Sequence, residues 1–389
     1  MKNCAIICEY NPFHNGHKYQ IDYLKNNLGF NFVTIVMSGH FSQRAIPSVL
    51  DKYSRAKMTN SCDLICQLPT AYAINNGEVF ATAGVKIINS LGIKYICFGV
   101  ETPEKELFLS LADNLLNESE IYKENLKNEL KKGLNFKTAN LNSIKRSFPL
   151  GEKYYNLLSY PNNMLALEYI KAIKKYNYDI EPIFLKRETN FTDTDNNSDI
   201  VSASQIRKYL LENKDISHFV PYNSMSIINE NYNPLYMEKF SEIMFYSMLN
   251  YDKTRLKNTY NVNEGIENRI ISAINNSKNY DEMIAKIVTK RYDINKINRI
   301  LLCYVLSISK DIIKHLYNNE PEYIKVLYIN KKILPYINSD KLILRTNDIT
   351  DKISNNPLEK IENKANLFAN NIFNKNYEIN DIFIKPEIK

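Results

Sequence analysis

Five short apolar runs punctuate the first half of the chain. Cys4-Ala5-Ile6-Ile7-Cys8, Phe32-Val33-Thr34-Ile35-Val36-Met37, Asp63-Leu64-Ile65-Cys66-Gln67-Leu68, Lys94-Tyr95-Ile96-Cys97-Phe98-Gly99 and Glu181-Pro182-Ile183-Phe184-Leu185-Lys186 read as strands. Between them the stretches 17–27, 51–61, 78–91, 104–132 and 163–176 read as helices, and in the first of these Ile21 and Leu24 share a face. Such alternation predicts an α/β fold: a parallel sheet covered on both faces, with ligands at the carboxyl ends of its strands. From about residue 210 the strand signal fades. Met237-Phe240-Ile243-Met244 and Ile297-Ile300-Leu301-Tyr304 instead carry helical spacing. The chain therefore divides into a Rossmann-like parallel-sheet domain over 1–212 and a mainly α-helical second domain over 213–389. Asn190 to Asp199 is polar and reads as a mobile loop, and Asn355-Asn356-Pro357 as a turn before a last helix.

Composition narrows the class. A chain of 389 residues can carry two domains with a sizeable core. It has no apolar run of about 18 residues, so no membrane span is expected. Glu9 ends the first apolar run too early for a secretory signal, which leaves the cytoplasm as the expected compartment. The six cysteines fit that setting as buried, reduced thiols. Cys62 and Cys66 have a spacing that zinc could use, but the strand pattern of 63–68 favours core. Net charge is +7, and residues 251–310 hold 11 Lys/Arg against 6 Asp/Glu. A solvated helical face and a footprint for a phosphate backbone both account for that surplus.

The chemistry concentrates between the first strand and the first helix, in Glu9-Tyr10-Asn11-Pro12-Phe13-His14-Asn15-Gly16-His17. A helix N-terminus offers backbone N–H groups and the positive end of a dipole, which suits phosphate. Gly16 lets backbone approach a ligand. His14 and His17 add donors that can meet charge building on a phosphate in transfer, so the expected chemistry is attack on the α-phosphorus of a nucleotide. His40, His218 and His315 are scattered, so no catalytic metal held by the protein is expected. Mg2+ carried by the triphosphate fits instead.

The segment resembles the His-x-Gly-His signature of the nucleotidyltransferase superfamily, shared with class I aminoacyl-tRNA synthetases. Further motifs are similar to those of bacterial tRNA(Met) cytidine acetate ligases: Ser38-Gly39-His40-Phe41-Ser42-Gln43-Arg44, Asp51-Lys52-Tyr53-Ser54-Arg55-Ala56, Cys97-Phe98-Gly99-Val100-Glu101, Pro161 to Tyr169, Ser202-Ala203-Ser204-Gln205-Ile206-Arg207, and Thr289-Lys290-Arg291-Tyr292 followed by Arg299. His40 stands where that family usually has Asn, and Ala166 where it usually has Gly.

The resemblance implies a nucleotidyltransferase-like ATP-binding domain and a tRNA-binding helical domain. It also implies acetate activation by ATP as acetyl-adenylate, then acetyl transfer to the wobble cytidine of elongator tRNA(Met). Its ATP contacts carry over to Ile7, Cys8, Glu9, Tyr10, Asn11, Pro12, Phe13, His14, Asn15, Gly16, His17, Lys18, Tyr19 and Gln20, and to Gly99, Asn162 and Arg187. Residue chemistry agrees. Gly99 offers bare backbone to adenine or ribose. Asn162 suits an adenine edge or a ribose hydroxyl, or caps the following helix. Arg187 can grip phosphate, and Ser202, Ser204 and Arg207 can clamp the β- and γ-phosphates. Lys290, Arg291 and Arg299 fall within the basic stretch as tRNA contacts, and Tyr292 or another aromatic can stack on the target base. Arg44, Lys52 and Arg55 fit further phosphate or tRNA contacts, or else solvated cations behind an Asp51 cap. Two rival readings stay open: a small-molecule adenylyltransferase of cofactor biosynthesis, and a non-catalytic RNA-binding protein with structural ATP.

Overall fold

The computed structural model describes residues 1–59, 61–187, 201–344, 351–375 and 387–388. The polar 190–199 stretch, expected as a loop, lies outside them. Five parallel strands form the heart of the molecule: β1 (Asn3–Cys8), β2 (Phe32–Ser38), β3 (Leu64–Leu68), β4 (Tyr95–Val100) and β5 (Glu181–Lys186). They are the five runs legible in the sequence. In space they lie in the order β5-β4-β1-β2-β3, so the chain winds outward from β1 in one direction and then from β4 in the other. The reversal between β1 and β4 opens a crevice at their carboxyl ends, the place where such sheets bind ligands.

Gly77–Ser90 packs against β1, β2 and β3, and Pro161–Lys175 lies against both that helix and β4. The fit at Gly84 is tight: a Cβ there would stand 2.4 Å from Ile7 Cδ1. The expected 104–132 helix is two helices, Lys105–Leu116 and Glu120–Lys131, because Ser119 caps the second by accepting from the Tyr122 N–H.

Beyond Ala203–Leu211 the chain is helical up to Lys310–Asn318. Ile294–Leu306 buries Ile297, Ile300, Leu301 and Tyr304, and Tyr236–Leu249 buries Phe240 and Met244, as their spacing predicts. The chain then returns to the sheet, which the sequence reading did not anticipate. β6 (Ile324–Ile329) runs antiparallel beside β3, and β7 (Leu342–Ile343) and β8 (Glu387–Ile388) pair with β6.

The last long helix, Pro357–Phe373, starts at an Asn356 cap and presses a polar row onto the β3 side. Glu362 accepts from Gln67 Nε2 at 2.5 Å, from Thr70 Oγ1 at 3.0 Å and from the Thr70 N–H. Asn366 Oδ1 accepts from Lys52 Nζ at 2.9 Å and from His40 Nε2 at 3.1 Å, and Glu359 pairs with Lys325 at 2.7 Å. Among the described residues no helix is long and apolar enough to cross a membrane.

Candidate active site

The turn after β1 delivers His14 to the N-cap of Asn15–Asp22, the helix expected to begin near His17. Each imidazole spends its Nδ1 on backbone: His14 Nδ1 accepts from the Gly16 N–H at 3.1 Å, and His17 Nδ1 from the His14 N–H at 3.4 Å. The rings stack with centroids 3.7 Å apart, backed by Tyr10 and Phe13. Burial, helped by Arg187 and Arg207, pushes the His14 pKa down to about 3; burial, with His14 and Arg187, pushes His17 well below its ordinary value. Both rings are therefore neutral near pH 7. With each Nδ1 accepting, the proton resides on Nε2, so the pair presents two Nε2–H donors.

The free backbone N–H groups expected at this helix start are absent. Asn15 N–H donates to the Phe219 carbonyl at 3.0 Å, Gly16 N–H to His14 Nδ1, and His17 and Lys18 N–H to the His14 carbonyl at 2.9 and 3.1 Å. The side chains take over the donor role because the turn uses its own amides to hold them. Within the same stretch, Asn11 Oδ1 accepts from the Val49 N–H, Gln20 Nε2 reaches the Cys97 carbonyl, and Lys18 pairs with Asp22.

Across the crevice stand Gly99 and Arg187. A Cβ on Gly99 would lie 3.1 and 3.2 Å from Cγ and Cδ of Arg187, so the bare strand is the bed for that side chain's stem. Asn162 lies inside the Pro161–Lys175 helix and does not cap it; its Nδ2 donates to Glu101 Oε1 at 2.6 Å. Ser202 caps Ala203–Leu211 and touches Ser204 at 3.0 Å, while Arg207 from that helix donates to the Asn11 carbonyl at 2.7 Å. The second predicted cluster thus meets the first through the histidine turn.

Arg299 and Glu9 converge on one peptide. Glu9 Oε1 accepts from the Gln43 N–H at 2.5 Å, and Arg299 Nε donates to the Gln43 carbonyl at 3.0 Å. Arg299 therefore reaches from the helical half to the rim of the crevice. Lys290 and Arg291 do not: Lys290 is exposed, and Arg291 pairs with Glu264 at 2.6 Å. Tyr292 is buried, its hydroxyl 3.3 Å from Glu264 and its ring covered by Lys296, so it is packed as structure and offers no open face to a base.

Neither reading of Lys52 and Arg55 holds, since both are buried and committed within the protein. Lys52 donates to Gln67 and Asn366. Arg55 gathers the carbonyls of Glu9, Ser38, Gly39 and Leu50, tying the carboxyl ends of β1 and β2 together. Arg44 remains exposed. Among the described residues none of Arg44, Arg187, Arg207 and Arg299 forms a salt bridge, and no three His, Cys, Asp or Glu side chains gather as a metal site. A separate cleft, lined by Tyr72, Ile87, Leu316 and Tyr323, shares no residue with this crevice.

Neutral donors backed by unpaired guanidinium groups at a sheet's switch point suit an anionic nucleotide. Known proteins agree in sequence and fold. A family model for the HIGH nucleotidyl transferases matches residues 1–384. The chain is 35% identical over 416 residues to a tRNA(Met) cytidine acetate ligase of Clostridium botulinum, covering 100% of both, and 35% identical over 347 residues to one of Acetivibrio thermocellus, covering 85% of this chain and 84% of that one. Its fold matches a crystal structure of Thermotoga maritima TmcAL bound with alpha-thio ATP, with a TM-score of 0.89 at 24% identity over 100% of this chain and 99% of that one. The chain belongs to the HIGH nucleotidyl transferases and, within them, to the tRNA(Met) cytidine acetate ligase family.

Proposed function

We propose that this protein activates acetate with ATP and acetylates the wobble cytidine of elongator tRNA(Met), forming 4-acetylcytidine. The observation that carries this is the pair of neutral histidines, each with its proton on Nε2, with the charges of Arg187 and Arg207 beside them. The relatives' shared name and the ATP analogue bound by the Thermotoga maritima protein support the choice of substrates.

In the first step an acetate oxygen attacks the α-phosphorus, and the bond to the β-phosphate oxygen breaks to release pyrophosphate. Acetate attacks as an anion, so positioning and charge neutralisation matter more than a base. His14 and His17 donate to the oxygens of the reacting phosphate. Arg187 lies beside them, and Arg207 with Ser202 and Ser204 holds the outer phosphates, which enter as the Mg2+ complex of ATP. In the second step the cytidine amine attacks the acetyl carbon, AMP leaves, and the amine loses a proton. The base must be splayed out of the anticodon loop to reach the anhydride.

We assign nucleotide chemistry to residues 1–212 and tRNA contacts to 213–389, with Lys290 and Arg291 on phosphates and Arg299 at the junction. An exposed pair such as Arg291–Glu264 is held weakly enough to exchange for phosphate. The substrates place the reaction in the cytoplasm.

The test is mass spectrometry of nucleosides from bulk tRNA incubated with protein, ATP and labelled acetate. Labelled 4-acetylcytidine is expected. Its absence, with pyrophosphate release driven instead by nicotinamide mononucleotide or phosphopantetheine, would move the protein to the cofactor adenylyltransferases. Lys290→Glu with Arg291→Glu should spare acetate-dependent ATP–pyrophosphate exchange and abolish transfer, flattening the salt dependence of tRNA binding by about one to two contacts. Normal transfer by that variant would remove the segment from the tRNA site.

A further inference from the structure

Glu101 follows the last residue of β4, at the carboxyl edge of the sheet. The first turn of the Pro161–Lys175 helix holds it twice: its N–H donates to Asn163 Oδ1 at 3.0 Å, and its Oε1 accepts from Asn162 Nδ2 at 2.6 Å. Its Oε2 is shut away from solvent and accepts nothing. Other buried polar atoms, the Tyr10 and Tyr169 hydroxyls among them, also lack partners, but among the described residues this is the only carboxylate oxygen in that state. Glu359 and Glu362, both buried, accept hydrogen bonds on both oxygens. A buried carboxylate oxygen without a donor is costly, and each such orphan calls for a cause.

An ionised carboxylate only accepts, so the missing partner is a donor. Phosphate oxygens are excluded by that rule, which leaves the ribose hydroxyls and the adenine amine of ATP. Position separates these two. Glu101 stands two residues past Gly99, in the bend that follows β4 at the carboxyl edge of the sheet. Gly99 is the bed of Arg187, whose charge is felt by both His14 and His17. Moving outward from the phosphorus that the histidines address, the first donors met are the ribose hydroxyls; the amine lies beyond the whole purine ring. The terminal torsion of a Glu side chain is soft, so Oε2 can turn toward a ligand in exchange for part of the Oε1 bond to Asn162.

We propose that Glu101 is a specificity-determining residue of the nucleotide site: its Oε2 accepts from a ribose hydroxyl of ATP and so selects ribonucleoside over deoxyribonucleoside triphosphates. This rests on the assignment of ATP to the Gly99 edge. The test is calorimetric titration of the full chain with ATP, 2′-deoxy-ATP, 3′-deoxy-ATP and purine riboside triphosphate, which lacks the 6-amine. One deoxynucleotide should bind about 10–100-fold more weakly than ATP, the usual effect of a hydrogen bond to a charged group. Purine riboside triphosphate should bind as ATP does. Glu101→Ala and Glu101→Gln, checked for unchanged thermal unfolding, should lose that discrimination.

Equal binding of all four by the wild-type chain, or a loss confined to the purine riboside, overturns the proposal without needing any variant. Discrimination that survives in both folded variants does the same. Failure of the wild-type chain to bind any of the triphosphates would sink the nucleotide reading itself, and this proposal with it.

Discussion

Beneath the last helix, Lys52 and Lys325 are almost wholly buried and fully answered. Lys325 faces Glu359 at 2.7 Å, and Lys52 donates to Gln67 and Asn366 while Glu362 lies close enough to oppose the burial that pushes its pKa down to about 8. Around the histidine turn, by contrast, Arg207 feels the charge of Glu9, and Arg299 those of Asp293 and Glu9, yet neither arginine forms a salt bridge among the described residues. Both regions concentrate cations, and the difference between them is saturation. A closed network fixes a helix to a sheet; an open one keeps its donors for something that arrives later.

Three substitutions would break or sharpen that contrast. The largest effect is expected in the closed network. Glu359→Ala leaves Lys325 without its carboxylate and should lower unfolding free energy by roughly 3–5 kcal/mol in denaturant titrations, with ATP affinity of the folded protein unchanged. A loss below about 1 kcal/mol would mean that this network does not hold the helix. Next comes the open one. His17→Ala should slow acetyl-adenylate formation by about 10²–10³-fold in the folded protein, since one transition-state donor is removed, although the stack on His14 and the bond to the His14 N–H are lost with it. Adenylate formation at the wild-type rate would take the residue out of the mechanism. The smallest is Arg207→Ala, which should weaken ATP by roughly 1.5–3 kcal/mol in calorimetry and AMP far less. Equal losses would place Arg207 away from the outer phosphates, at the Asn11 carbonyl it already holds.

Strands β1 to β4 were legible because parallel strands buried on both faces read as continuous apolar runs; β5, at the sheet edge, is only partly buried but carries an apolar run of the same kind. The histidine turn was legible for a related reason: all of its parts lie within nine residues. What escaped was whatever depends on distant partners. β6 carries Lys325 in its interior, and Glu359, 34 residues later on the last long helix, is a carboxylate that answers that charge. Arg299 looks like its basic neighbours in sequence, yet it binds the Gln43 carbonyl, 256 positions away. Glu101 closed one of the family-like motifs without a legible role, because the interest of its carboxylate lies in the oxygen that Asn162 leaves alone. The use of the helix-start amides was a local matter that spacing could not settle, since it depends on ring orientation.

The late return of β6 bears on how the protein is made. β3 is synthesised by residue 68, but the strand that covers its open side begins at Ile324. During translation the nascent sheet therefore exposes an unpaired edge until most of the polypeptide has left the ribosome. At about 5–20 residues per second that window lasts on the order of tens of seconds. Open edges recruit other strands. The C-terminal segment thus serves the nascent chain as the closure that ends its exposure to aggregation.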